Sequence, residues 1–372
     1  MKKIVVLSTN AYSLLNIRGD MMAAMAELGH HIVAAAPEDE TDWSEAFQQQ
    51  GFGYISVPIE RTGLNPFKDI RSFFSLYRMF RKEKPDLLFA YQAKALAYGC
   101  LAAKMAGVHE IYGMIAGLGS IFQLKGLKGA VIRWILVTQY KAALACCRKV
   151  FFQNPDDADD FAKRHLVRRS KAILVHGSGV NMIRFCPRPV PAESVFLFVG
   201  RLLRDKGLME YLEAARLVKK DFPAARFLVL GALETNPMAV SAEELAPFEA
   251  DGTVELLGFT TDVRPYLETC SVFVLPSYRE GTSRSALEAL AVGRPVITTD
   301  APGCRETVRN GINGWLVPVR DSKQLAGKMA WMIQHPEEGR RMGQESLRIC
   351  RERFDVREVN RVLLTAMGLL PS

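Results

Sequence analysis

Short apolar, β-branched runs alternate with stretches of helical periodicity along most of the 372 residues. Residues 3–8 form a near-continuous apolar run of strand length, and apolarity without alternation marks a strand buried on both faces. Helical periodicity follows over 16–28, then a second strand pattern over 31–36. The rhythm continues with a strand at 54–57, a helix at 66–84, a strand at 86–90, a helix at 93–106 and a strand at 110–115. Alternation of this kind predicts a parallel sheet with helices on both faces.

The rhythm weakens over 181–194, where Pro187, Pro189 and Pro191 cluster. Proline cannot donate to a strand ladder, so this stretch reads as a linker. The pattern then restarts, with strands at 195–199, 226–230, 253–257, 272–275 and 295–299 and helices at 206–219 and 285–291. The expected architecture is two Rossmann-like, doubly wound α/β domains, at 1–185 and 190–353. Helical periodicity at 354–372 is expected to return to the first domain. Ligands of such sheets bind outside the carboxyl ends of the strands, and the default site is the cleft between the domains.

Composition narrows the picture. The chain is 49% hydrophobic and 24% charged, which excludes a disordered or collagen-like protein. The apolar run at 4–7 is too short for a signal-peptide core. The greasiest region, 130–147, is interrupted by Arg133, Gln139 and Lys141, so no membrane-spanning helix is expected. Seven cysteines without a Cys-x-x-Cys spacing read as reduced thiols in a cytoplasmic protein, not as a zinc or disulfide framework.

Charge is unevenly placed. Residues 1–190 hold 25 Lys/Arg and 16 Asp/Glu, whereas 191–372 hold 23 and 24. Within 61–149 there are 15 basic and 4 acidic residues, a net of +11. So basic a segment expects an anionic partner. The chain has no recognition helix, zinc module or aromatic platform for nucleic acid, which leaves anionic lipid or a phosphorylated substrate. Two stretches mix cations with aromatics. Residues 66–84 carry Phe67, Ile70, Phe73, Phe74, Tyr77 and Phe80 among Arg71, Arg78, Arg81 and Lys82. Residues 121–137 combine Phe122, Trp134 and aliphatic residues with Lys125, Lys128 and Arg133. Both read either as membrane-surface elements or as core stripes with a solvated basic face.

The second domain carries three chemical segments. In the first, Gly200 ends a strand and Arg201 and Lys206 follow, two cations able to clamp a diphosphate or simply to lie at a surface turn. In the second, residues 275–288 form a strand end, a turn with Glu280, Gly281, Thr282 and Ser283, and a helix bearing Glu288. Backbone N–H groups at such a helix start make an anion site. The two glutamates read as acceptors for sugar hydroxyls, or as a helix-dipole partner and a solvated side chain. In the third, Pro302-Gly303-Cys304 is read as ending a strand, and Asn310-Gly311 and Asn313-Gly314 as hairpin or tight-loop turns.

In this order and spacing the segments resemble the nucleotide-sugar domain of family 4 glycosyltransferases, retaining enzymes of GT-B architecture. The resemblance implies that Arg201, Lys206 and the backbone at 281–285 hold a nucleotide diphosphate and that Glu288 binds the ribose. It places Glu280 against the transferred sugar, with Arg201 and Lys206 as its catalytic partners, and Gly258 and Phe259 beside the base. No metal is implied. Asp157-Ala158-Asp159 formally matches the metal motif of glycosyltransferases of the other common fold, but it opens a helix, where acids are favoured anyway.

The first domain is similar to a subgroup that builds bacterial surface polysaccharides and the glycans of N-glycosylation on undecaprenyl diphosphate. The matching residues are Asn16-Ile17-Arg18, Tyr91-Gln92-Ala93-Lys94 and Ala116-Gly117-Leu118-Gly119-Ser120. The resemblance makes Asn10, Arg18, Lys94, Gly117 and Gly119 acceptor-binding candidates. The histidine that related enzymes often have near Tyr91 is absent. The implied activity is transfer of a hexose or N-acetylhexosamine, with N-acetylgalactosamine the best guess. The donor is a UDP-sugar, the acceptor a polyprenyl-diphosphate-linked glycan, and the place the inner face of the bacterial inner membrane. Two other readings of the same residues are a UDP-sugar epimerase and a non-catalytic sugar- or nucleotide-binding protein.

Overall fold

The computed structural model describes residues 1–60, 65–117, 126–234 and 238–371, without the side chains of Pro66 and residues 126–132. The chain divides into two compact units, Met1–Ser178 with Val356–Ser372, and Gly179–Asp355.

The first unit runs β1 (Lys3–Leu7), α1 (Ala11–Glu27), β2 (His31–Ala36), α2 (Glu40–Gln48), β3 (Gly53–Ser56), α3 (Pro66–Glu83), β4 (Leu87–Tyr91), α4 (Ala93–Ala106), β5 (Glu110–Ile115), α5 (Gly126–Cys146), β6 (Lys149–Phe152), α6 (Pro155–Lys163) and β7 (Ala172–Leu174). Its sheet is parallel, in the order β3-β2-β1-β4-β5-β6-β7. Ile4, Val5, Val6 and Leu7 of β1 are all buried, as a central strand covered on both faces requires. Side-chain caps define the helix starts. Asn10 caps α1, Asn65 caps α3 with Pro66 behind it, and Asn154 caps α6.

The second unit runs β8 (Val195–Val199), α7 (Leu208–Asp221), β9 (Arg226–Leu230), α8 (Ala242–Ala250), β10 (Glu255–Leu256), α9 (Arg264–Thr269), β11 (Val272–Leu275), α10 (Arg284–Val292), β12 (Val296–Thr299), β13 (Gly314–Val317), α11 (Ser322–Gln334) and α12 (Pro336–Ile349). Its parallel sheet has the order β10-β9-β8-β11-β12-β13. After a π-helical turn at Cys350–Phe354, α13 (Val356–Ala366) packs against α1 of the first unit, and Tyr112 donates to the Met367 carbonyl there. Each unit is a doubly wound parallel α/β sheet.

Two local expectations are corrected and one is narrowed. Residues 181–194 are no free linker: Phe185 is buried and the Arg188 N–H donates to the Val292 carbonyl of the second unit. The buried Arg294 guanidinium binds the carbonyls of Arg188 and Pro189 at 3.1 and 2.9 Å, which fastens the proline stretch down. Of the two readings of Asn310-Gly311 and Asn313-Gly314 the tight loop holds: residues 311–313 form a turn, and the Gly311 N–H donates to the Gly314 carbonyl at 2.8 Å. Gly314 begins β13, parallel to β12, where a Cβ would lie 1.8 Å from the Val296 carbonyl oxygen. Gly303 ends no strand, because β12 stops at Thr299.

Candidate functional site

In the second unit the candidate residues lie at the carboxyl ends of its strands. Gly200 and Arg201 follow β8, Gly258 and Phe259 follow β10, the loop to Gly281 follows β11 and Gly303 follows β12. Strand order reverses between β8 and β11, the position at which open α/β sheets hold ligands.

Lys206 closes a single 3-10 turn, Arg204–Lys206. The Asp205 carbonyl in that turn accepts from the Tyr278 N–H at 2.8 Å and the Ser277 hydroxyl at 3.1 Å. Gly207 follows with φ of 72°, and a Cβ there would lie 2.0 Å from the Pro276 carbonyl oxygen, so only glycine lets the turn approach this loop. The turn and the loop are thus held side by side. Lys206 Nζ lies 2.5 Å from Glu280 Oε1, with both side chains largely buried. Two residues 74 positions apart form one ion pair at the strand ends.

The Glu280 backbone is held from its other side as well. Its N–H donates to the Pro302 carbonyl at 3.0 Å. Gly303 has φ of 75°, and a Cβ there would stand 2.2 Å from the Glu280 carbonyl oxygen. The Thr299 hydroxyl and the Cys304 thiol both bond the Ser277 carbonyl. Gly303, expected at a strand end, is instead a clamp on Glu280. The Pro-Gly pair was the available signal.

α10 starts beside this loop. Ser283 caps it by accepting the Ala286 N–H, and the Ser285 hydroxyl donates to the Val199 carbonyl at 3.0 Å. That bond ties the helix start to the end of β8, next to Gly200 and Arg201. The first-turn N–H groups and the positive end of the helix dipole are suited to an anion there. Arg201 is exposed, and its guanidinium has no partner among the described residues.

Glu288, one turn into α10, is only 9% exposed. Burial raises its carboxyl above the ordinary value, while the Arg284 guanidinium pulls the other way. Arg284 Nε sits 2.8 Å from Glu288 Oε1, and Nη1 lies 3.4 Å from the Gly179 carbonyl. Arg284 was missed in the sequence, although its i,i+4 spacing from Glu288 was legible. Gly258 has φ of 71° and its carbonyl accepts from Gly231, which leaves the Phe259 ring exposed beyond it.

The first-unit candidates are arranged otherwise. Asn10 caps α1 and donates to Glu38 at 3.0 Å. Arg18 is corrected: it is 1% exposed, its guanidinium 5.2 Å from the Tyr91 ring centroid and 2.6 Å from Met114 Sδ. A guanidinium enclosed in this way does not present itself to an acceptor diphosphate. Lys94 is largely buried in a 2.7 Å ion pair with Asp69 of α3, as Lys206 is with Glu280. Gly117, at φ 101°, lines a pocket of about 160 Å³ with Gln92, Leu96, Met114 and Tyr140. Gly119 lies outside the described residues, as do residues 121–125 of the second basic stretch. Gln92 holds φ of 72°, costly for a residue with a Cβ, and its Oε1 accepts from the Ser8 hydroxyl at 2.9 Å and the Thr9 N–H at 3.0 Å. It links the ends of β1 and β4, a role that its place in the Tyr91-Gln92-Ala93-Lys94 segment does not by itself report.

Asp157 is buried in the Asn154 cap, and Asp159 pairs at the surface with Arg169 at 3.4 Å. Among the described residues no cluster of three or more His, Cys, Asp and Glu suits a metal ion.

A family model described as "Glycosyl transferases group 1" matches residues 193–335, and one described as "Glycosyl transferase 4-like domain" matches residues 17–177. The chain is 27% identical over 346 residues to the N,N'-diacetylbacillosaminyl-diphospho-undecaprenol alpha-1,3-N-acetylgalactosaminyltransferase of Campylobacter jejuni, covering 89% of each. It is 26% identical over 280 residues to the UDP-Gal:alpha-D-GlcNAc-diphosphoundecaprenol alpha-1,3-galactosyltransferase of Escherichia coli, covering 71% of this chain and 70% of that one. Among solved structures, Anabaena HepE in complex with UDP superposes with a TM-score of 0.79 at 18% identity over the whole of both chains. Sucrose-phosphate synthase from Thermosynechococcus elongatus gives 0.80 at 20% identity over 98% of each. At these identities the superpositions speak for the fold alone.

Proposed function

The chain belongs to the family 4 glycosyltransferases of GT-B fold, and from that premise we propose that it moves a hexose or N-acetylhexosamine from a UDP-sugar to an undecaprenyl-diphosphate-linked glycan. N-acetylgalactosamine is the first donor sugar to test, since a relative matched over 89% of both chains carries that name. The proposed setting is bacterial surface-polysaccharide or glycoprotein-glycan assembly. The acceptor's carrier places the work at the inner face of the inner membrane. No helix among the described residues is long and apolar enough to cross a membrane, so the association proposed is peripheral.

The observation that carries the reading is the Lys206–Glu280 pair beside the start of α10. Breaking the anomeric bond loads negative charge on the leaving diphosphate and positive charge on the sugar. Lys206, Arg201 and the α10 N–H groups answer the first charge with donors already in place. An entering diphosphate draws Lys206 off Glu280. The released Glu280 carboxylate then orients the sugar and steadies the positive charge. Glu288 takes the ribose hydroxyls and the Phe259 ring borders the base. Stereochemistry is retained by attack on the face the diphosphate leaves, a donor phosphate oxygen taking the acceptor proton. These residues need no bound metal in this scheme.

The test is a screen of UDP- and GDP-sugars against bacterial membrane extract, reading nucleotide release and label in the organic-soluble lipid fraction. One UDP-sugar is expected to give both signals. Conversion of a UDP-sugar without lipid would replace this reading with an epimerase.

A further inference from the structure

Four aromatic rings among the described residues are more than half exposed, and three of them stand on one layer of the first unit. Phe67, Ile70 and Phe74 of α3 are 85, 55 and 52% exposed, and Trp134 of α5 is 68% exposed. The α3 residues fall at i, i+3 and i+7, a single helix face. Core packing does not account for them, because α3 meets the core through Leu76, Met79 and Phe80 instead.

Charge on α3 is sorted by the same faces. Its two acids are engaged inward, Asp69 with Lys94 and Glu83 with Lys3. Arg71, Arg78, Arg81 and Lys82 are exposed, and none has an ion-pair partner among the described residues. At 100° per residue they share the outward side with Phe67, Ile70 and Phe74. The outer face is therefore apolar toward its N-terminal half and cationic toward its C-terminal half.

α4 packs between α3 and α5. Lys94 joins it to Asp69 of α3, and Tyr98, one turn on, joins it to Gln139 of α5 at 3.3 Å. Asp69 and Gln139 therefore sit at about the same height. Phe67 and Ile70 flank Asp69, while Trp134 lies about 7.5 Å before Gln139 at 1.5 Å per residue. All point to the N-terminal halves of the two helices. In a parallel sheet with crossover helices, that is the edge of the unit at which the strands end.

We propose that this layer is the surface by which the protein docks on an anionic lipid bilayer. Phe67, Ile70, Phe74 and Trp134 enter the headgroup–acyl boundary, and Arg71, Arg78, Arg81 and Lys82 lie on lipid phosphates. The match is electrostatic as well as apolar: unpartnered cations with no outward acid on α3 select a negative surface. The docking rests on the reading of a membrane-held acceptor for its purpose, but not for its test.

Cosedimentation with vesicles of phosphatidylglycerol and phosphatidylcholine, free of any acceptor, decides it. Wild-type protein binds these and not pure phosphatidylcholine vesicles, and binding weakens as salt is raised. Phe67→Ser/Ile70→Ser/Phe74→Ser lowers vesicle affinity at least tenfold, and Arg71→Glu/Arg78→Glu by at least about fivefold per cation. UDP affinity and the melting curve stay at wild-type values in both variants, which separates failed docking from failed folding. Unchanged vesicle binding in both overturns the proposal. So does a concentration-dependent dimer that the triple variant abolishes, which would make the face a contact between copies. Loss of sugar transfer with vesicle binding intact counts against the transferase reading alone.

Discussion

Two basic regions of this protein use charge in opposite ways. At the strand ends of the second unit the cations are few and placed. Lys206 is largely buried against Glu280, and Arg284 is held by Glu288 and a backbone carbonyl. On the outer helical layer of the first unit they are numerous, exposed and without ion-pair partners among the described residues, interleaved with exposed aromatics. A net charge of +8 conceals this contrast. Placed charge suits one ligand at a fixed geometry. Diffuse charge suits a surface, and salt screens it strongly.

The sharpest way to break the contrast is Lys206→Ala. Loss of a donor aimed at developing charge is expected to lower turnover at least about 100-fold. The melting temperature should fall, because Glu280 is left largely buried without its partner, but the protein should still fold and vesicle binding should not change. Near-normal sugar transfer by this variant would remove Lys206 from the chemistry.

Gly303→Ala leaves every side chain of the site in place and tests its backbone. The new Cβ meets the Glu280 carbonyl at a φ that disfavours alanine, a strain of about 1–3 kcal/mol. UDP affinity should fall by about that equivalent, roughly five- to 150-fold, with a lower melting temperature. An undisturbed titration would show that the clamp is not needed.

Glu280→Gln should act in opposite directions on binding and chemistry. It frees Lys206 and removes a carboxylate from the path of an anion, so UDP should bind several-fold tighter while transfer falls. Weaker UDP binding would contradict the ion-pair exchange.

The smallest effect is a pH dependence. Burial raises the Glu288 carboxyl, so the folded state takes up its proton more readily than the unfolded one. Stability from this group is therefore greatest at acid pH and is lost as pH rises from the ordinary carboxylate range through the raised value. Ribose binding runs the other way, because the ionised form accepts both hydroxyls. UDP affinity should fall a few-fold as pH drops through the raised value, and 2′-deoxy-UDP should show a weaker dependence. Identical profiles would place the ribose elsewhere.

The sequence revealed the elements better than their partners. Val272–Leu275 and Ala93–Ala106 were legible to the residue, because a central strand and a buried helix carry long apolar signals. The edge strands were not: Glu255–Leu256 is far shorter than its apolar run, and Gly314–Val317 hides behind turn residues. In the site, Glu280 and Glu288 stood out by spacing, but the pairing of Lys206 with Glu280 depends on two loops meeting at neighbouring strands. Arg18 was misread for the same reason. Its place beneath Tyr91 and beside Met114 is set by β4 and β5, which no local pattern in α1 reports.

The central claim is that the donor diphosphate is held in the second unit by Lys206, apart from the charge that meets the membrane. Calorimetric titration of UDP into the wild type, Lys206→Ala and Phe67→Ser/Ile70→Ser/Phe74→Ser tests it most directly. The account predicts wild-type affinity for the triple variant and at least tenfold weaker binding for Lys206→Ala. Wild-type affinity in Lys206→Ala, or a loss confined to the triple variant, would contradict it.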